Sequence, residues 1–163
     1  METFVGVDVG AKSVAVAQWR AGRVVDTAEF RQTHEGHQAL IKRLKGLTVA
    51  RVVLEATGVY YLDLAVALQR AGLPVAVINP RSFHHFAQLK LSNSKTDAAD
   101  AALLAEYGEC MKPCPVAGAR RHPDGPARHR ATDQPPDRSS HPGQESATCP
   151  ALEVIYLTLA CRR

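Results

Sequence analysis

Between residues 113 and 150 the chain carries eight of its ten prolines and, among Val, Ile, Leu, Met, Phe, Trp and Tyr, only Val116. A stretch this poor in apolar side chains cannot bury enough surface to offset its ordering entropy, so it is expected to be disordered. The apolar run at residues 151–160 is too isolated to build a core alone. Any core of this 163-residue chain must therefore come from its first 112 residues, enough for one ordinary domain and too few for two. The expected organisation is a folded domain over residues 1–112 and an aberrant Pro- and Arg-rich tail over 113–163. The break interrupts a helix-like pattern, and a mixture of Pro, Arg, Ala, His and Gly is what a GC-rich gene yields when read out of frame. A flexible natural tail is the ordinary alternative, and truncation by a frameshift is the expectation that the break favours.

Charge and cysteine usage exclude several classes. The net charge is +4, with a pI near 9.0, which permits a nucleic-acid partner without requiring one. Up to Lys112 there are 13 basic and 11 acidic residues, and beyond it 7 and 5, so each part carries +2. Cys110, Cys114, Cys149 and Cys161 lack the paired C-x₂-C or H-x₃₋₅-H spacing of a zinc site. Met1-Glu2-Thr3 lacks a basic leader region, and no run of about 18 apolar residues is present to span a bilayer. No membrane partner, a cytoplasmic location and free thiols are expected.

Within the first 112 residues the hydrophobic period changes once. Three β-branched runs come first, at residues 3–9, 12–19 and 23–30. Arg20-Ala-Gly-Arg23 reads as a tight hairpin turn, and Asp26 and Glu29 mark the third run as an edge strand. Leu40, Leu44 and Leu47 then follow helical spacing behind Thr33, a candidate N-cap. A strand at 50–55, a helix at 59–71 stopped by Gly72 and Pro74, and a strand at 74–78 follow. Asn79-Pro80 predicts another helix start, and an Ala-rich helix opens at Thr96. The order β-β-β-α-β-α-β-α-α predicts an α/β fold of RNase H-like type. Its mixed sheet has three antiparallel strands, then β-α-β-α, with helices on both faces. Sugar-kinase and actin-like ATPases share that order.

Four carboxylates stand out against this frame. Asp8 lies in the most apolar strand, on the face of Phe4 and Gly6, where an unpaired charge is costly. Its ordinary alternative is a cap on the turn at Gly10. Glu55 ends a strand, and parallel pairing with the first strand would bring it beside Asp8 at the carboxyl ends, where α/β sheets bind ligands. A solvated strand-end Glu is the commoner case. Asp97 and Asp100 sit at i, i+3 on one helical face; helix-dipole complementation accounts for Asp97 but less well for Asp100, a turn further in. Oxygen-only donors select Mg²⁺ or Mn²⁺, and a two-metal site of this kind serves phosphodiester displacement. No acidic residue occurs between Leu64 and Thr96, whereas Arg70, Arg81, Lys90 and Lys95 do, with His84 and His85. Arg81, Lys90 and Lys95 are the candidate phosphate contacts, and Arg70 is better read as solvated. His84 and His85 diverge by about 100° on a helix, so both cannot easily serve one ion.

Val5-Gly-Val-Asp-Val-Gly10, Val53-Leu-Glu-Ala-Thr-Gly58, Asn79-Pro-Arg81 and Lys95-Thr-Asp-Ala-Ala-Asp-Ala101 together resemble the DEDD transposases of insertion-sequence family 110, relatives of the Piv invertases. The resemblance spans roughly residues 3–108. It implies a RuvC-like domain whose Asp-Glu-Asp-Asp set, here Asp8, Glu55, Asp97 and Asp100, is catalytic and binds divalent metal. It also implies cleavage and exchange of element DNA, a structured guide RNA as partner, and homo-oligomers in full-length members. Family members continue into a coiled coil and a serine-bearing domain. Ser139, Ser140 and Ser146 lack that context, so no nucleophile is carried over and transposition by this chain alone is not expected. Three alternatives stay open: an actin-like ATP phosphotransferase fragment, to which Asp8-Val-Gly10 and Lys12 bear some likeness; a stand-alone RuvC-type branched-DNA resolvase; and a non-catalytic remnant.

Overall fold

The computed structural model describes residues 2–90 and 96–116. The tail beyond residue 116, with its serines, Cys149 and Cys161, and also Lys95, lie outside the described residues.

The three opening runs form consecutive antiparallel strands, β1 (Thr3–Val9), β2 (Ser13–Arg20) and β3 (Arg23–Arg31). Ala21 and Gly22 join β2 to β3 with φ of 51° and 76°. Two positive values make a type I′ turn, whose twist matches that of the flanking strands. The chain then crosses through α1 (His34–Lys45) into β4 (Val49–Glu55), which lies parallel to β1. Helix α2 (Tyr61–Arg70) leads to β5 (Val75–Ile78), parallel to β4, and α3 (Pro80–Leu89) and α4 (Asp97–Met111) complete the order. The sheet runs β3-β2-β1-β4-β5, so β3 is the edge that its charges foretold. Among the described residues no helix is long and apolar enough to cross a membrane.

Three helix starts are fixed by the expected side chains. Thr33 accepts from the Gly36 N–H (3.2 Å), Asn79 from Arg81 (2.8 Å) with Pro80 at the first helical position, and Thr96 from Ala99 (3.2 Å). Three boundaries differ from expectation. Helix α1 stops at Lys45 with Gly46 as its cap, and Leu47 packs on the core from the following turn. Helix α2 begins at Tyr61 rather than residue 59, because Gly58 turns the chain at φ 64° and Tyr60 supplies no capping side chain. Helix α4 does not break off in mid-turn. Lys112 adopts the left-handed conformation (φ 44°) that commonly ends a helix, and Pro113 blocks continuation. Four residues on, the Val116 N–H donates to the Val75 carbonyl at 2.7 Å, tying the only large apolar residue of the Pro-rich stretch to β5.

Helices cover both faces, as the element order predicts. On one, Val5, Val7, Val14, Val16, Val52 and Leu54 pack against Leu40, Ile41 and Leu44 of α1 and Tyr61, Leu64 and Leu68 of α2. On the other, α4 lies across β1, β2 and β4. There Ala101 meets Ala15 and Ala17, while Leu103, Leu104 and Tyr107 join Val53, Ile78, Phe83 and Phe86. Contact with β1 is exceptionally close. A Cβ on Gly6 would stand 1.9 Å from the Ala101 carbonyl oxygen and 2.3 Å from the Ala105 nitrogen. Only the absence of a side chain lets the helix lie there.

Candidate functional site

The alternation that buries Val5 and Val7 under α1 and α2 turns Gly6 and Asp8 toward α4. Asp8 is the last α4-facing position of β1 and is half-buried. Glu55 reaches the same level. The parallel register pairs Gly6 with Val53 and Val7 with Leu54, and one step further sets Glu55 beside Asp8. The expected parallel pairing is thus present. Helix α4 begins over this end of the sheet, with Asp97 and Asp100 in its first turn.

The electrostatics tie the four together. Burial pushes the Asp8 carboxyl from its ordinary 3.8 up to about 6, reinforced by the charges of Asp97, Asp100 and Glu55 and opposed by the Val9 backbone N–H. All three reinforcing groups are carboxylates that spacing and strand ends had singled out. They surround Asp8 without forming a closed cage. Among the described residues no group of three His, Cys, Asp or Glu side chains is close enough to hold a metal ion as it stands. The donor chemistry still fits a hard divalent cation: four carboxylates of like charge, with half-buried Asp8 disfavoured in its ionised form for want of a counter-charge.

Sequence reasoning missed two features of this end. The Thr57 hydroxyl donates to Glu55 Oε1, a contact that the intervening turn sets up. Glu29, used above only as an edge marker, lies on Asp8's row: Asp8 pairs with Ala15, and Ala15 with Glu29. Glu29 lines an open hollow of about 250 Å³ together with Thr27, Ala28, Ala15, Val16, Asp97 and Ala98. The strand alternation would have placed Glu29 on that face, but not α4's start above it.

The basic candidates are dispersed. Arg81 is exposed at the start of α3, just past Ile78, which pairs with Glu55. Lys90 caps the far end of the same helix, roughly 13 Å along its axis. It pairs with Glu106 at 2.6 Å and lies 5.7 Å from the Phe86 ring centre, so it fastens α3 to α4. The His84 and His85 ring centres lie 6.2 Å from each other, with the rings tilted by 57°.

Comparison with known proteins decides the family. The family model of DEDD transposases of insertion-sequence family 110, described as "Transposase", matches residues 5–115. The chain belongs to that family. Two pilin gene-inverting proteins are relatives of this DEDD transposase chain, from Moraxella bovis and Moraxella lacunata. Each is 28% identical over 116 residues, which is 69% of this chain and 36% of the relative. The chain thus spans about a third of the length of these relatives. Two solved structures show that the DEDD transposase domain shares the RuvC fold, which is RNase H-like. Thermus thermophilus RuvC aligns with a TM-score of 0.53 at 14% identity, covering 70% of this chain and 99% of RuvC. T. thermophilus RuvC in complex with a Holliday junction substrate aligns at 0.50 and 15% identity, covering 69% of this chain and 99% of that one.

Proposed function

We propose that the carboxyl end of this sheet is the DNA-cleaving centre of a transposase, with Asp8, Glu55, Asp97 and Asp100 as its metal-binding carboxylates. The observation that carries the reading is the position of Asp8, half-buried at a strand end and disfavoured as an anion first by that burial and then by those same three carboxylates. Mg²⁺ or Mn²⁺ bound there would supply Lewis-acid activation of the attacking oxygen and stabilisation of the leaving one. The protein's own part is to hold the carboxylates. Strand pairing fixes Asp8 and Glu55 at one level, and the α4 cap at Thr96 presents Asp97 and Asp100 above them. Asp8 must be ionised to serve as a ligand, so cation affinity is expected to fall as pH drops through about 6. Arg81 and Lys95 are assigned to the DNA backbone, and Lys90 to an outlying contact in competition with its bond to Glu106.

The partner in this reading is DNA undergoing recombination. A structured RNA and further copies of the chain belong to the longer family architecture, and complete strand exchange requires the segment that the longer relatives possess. Titration of Mn²⁺ into the full chain, with Asp8→Asn and Asp100→Asn in parallel, tests the centre. Micromolar-to-millimolar binding that weakens at least tenfold in either variant supports it; unchanged affinity overturns it. A thermal shift that requires ATP and is absent with Mg²⁺ alone would instead favour the phosphotransferase alternative.

A further inference from the structure

The segment from Ala56 to Tyr60 joins Glu55 to α2, and little of its own holds it. Val59 and Tyr60 are 62% and 51% exposed, so no buried side chain anchors its far half. Tyr60 occupies the N-cap position of α2 and gives no side-chain cap, unlike the Thr or Asn that starts each other helix. At its near end the Ala56 N–H donates to the Ile78 carbonyl at 3.0 Å, and Thr57 donates to Glu55.

The far end is held from elsewhere. Gln32, just past β3, donates its side-chain N–H to the Tyr60 carbonyl at 2.8 Å. With the amide nitrogen so directed, Gln32 Oε1 faces His37 Nε2 at 2.9 Å. An amide oxygen only accepts, so His37 Nε2 carries the proton; charging the ring leaves that donor in place. His37 is 8% exposed within α1 and cannot swing away. The Gln32 backbone is fixed as well, its N–H donating to the Lys12 carbonyl at 2.9 Å. A buried histidine thus orients an amide, the amide pins one end of a short segment, and the other end carries Glu55.

We propose that Gln32, oriented by His37, is a positioning residue for Glu55, acting through the Thr57–Tyr60 segment. The inference rests on the metal-centre reading above. Groups one layer outside a metal ligand commonly govern affinity by tenfold or more, because they fix the ligand's direction before the ion arrives.

Gln32→Glu gives the sharper test, since it keeps the size and the acceptor for His37 but loses the donor to Tyr60. It also adds a negative charge, which by attraction alone would tighten cation binding. Gln32→Met removes both bonds without charge and serves if the first variant is poorly folded. Mn²⁺ affinity by calorimetry and amide exchange of residues 56–62 are measured on the full chain. The expected result is roughly tenfold weaker Mn²⁺ binding in both variants, faster exchange in 56–62, and unchanged exchange in α1. Unchanged exchange in 56–62 overturns the tether. Faster exchange with unchanged or tighter Mn²⁺ binding overturns the positioning role while leaving the metal centre intact. A wild-type chain that binds no Mn²⁺ overturns the metal centre and this inference with it.

Discussion

On the face covered by α1 and α2, β1 and β4 present Val5, Val7, Val52 and Leu54 to a wall of leucines, and each of those side chains is fully buried. On the face covered by α4 the same two strands present Gly6, Asp8, Val53 and Glu55, and β2 contributes Ala15 and Ala17. One face is held by volume throughout; the other is held by clearance around Gly6 and by volume only where Leu103, Leu104 and Tyr107 meet Val53, Phe83 and Phe86. Large aliphatic side chains keep helices at an ordinary separation and make a stable, chemically inert interface. Small ones let α4 descend onto the sheet, which carries its first-turn carboxylates down to Asp8. The same close approach that packs the helix therefore concentrates negative charge, and the stability of that face is set against its chemistry.

The largest way to break this contrast is Gly6→Ala. The new methyl would collide with α4 backbone, which cannot rotate away. The loss is expected to exceed the usual ~1–3 kcal/mol of overpacking, leaving little folded protein by circular dichroism. Leu54→Ala strikes the other face. A cost of about 3 kcal/mol is expected from the lost burial and the cavity, seen as a lower urea midpoint. The Mn²⁺ affinity of the folded fraction should stay unchanged, and a parallel loss of affinity would mean that the two faces are not separable.

Asp8→Asn sharpens the comparison in the opposite direction. The folded carboxyl titrates near 6 against an ordinary 3.8. Below about pH 3 both states hold the proton and Asp8 is neutral to stability. Between 3.8 and about 6 the unfolded chain ionises more readily, so metal-free stability falls as pH rises, and above about 6 the loss is complete. For a half-exposed group this amounts to about 1–2 kcal/mol after solvent screening. Urea midpoints in chelator should show Asp8→Asn exceeding wild type at pH 7 and matching it near pH 3. Equal midpoints at both would remove the cost assigned to Asp8. Thr96→Ala deletes the cap under Asp97 and Asp100 and is expected to cost about 1 kcal/mol, together with a few-fold loss of Mn²⁺ affinity by calorimetry. Glu106→Gln weakens only the half-exposed tie to Lys90. A thermal midpoint close to that of wild type is expected.

The legible parts of this molecule are those governed by local rules. Alternation placed Asp8 opposite Val5 and Val7, helical spacing joined Asp97 to Asp100, and Thr33, Asn79 and Thr96 announced their helices before any tertiary contact was known. Glu55 was legible only on condition that β4 ran parallel to β1, which it does. The illegible parts are settled by approach distances and by partners far apart in sequence. Gly6 could be assigned to the face of Asp8, but nothing in the local pattern revealed a helix backbone pressed against it. The pairing of Lys90 with Glu106, 16 positions away on another helix, could not be read from the local pattern either. Gln32 and Tyr60 are 28 positions apart and meet only once β3 and β4 share a sheet. The tight turn at Ala21-Gly22 was visible because its geometry depends on two residues alone.

Every amino acid except glycine carries the carbon that position 6 excludes. Codon 6 should consequently tolerate synonymous changes and nothing else. In a library selected for folded protein it would register as a monomorphic site, unlike exposed positions such as Arg23. Its depletion in such a library would report the helix-to-sheet clearance genetically, without any structure being determined.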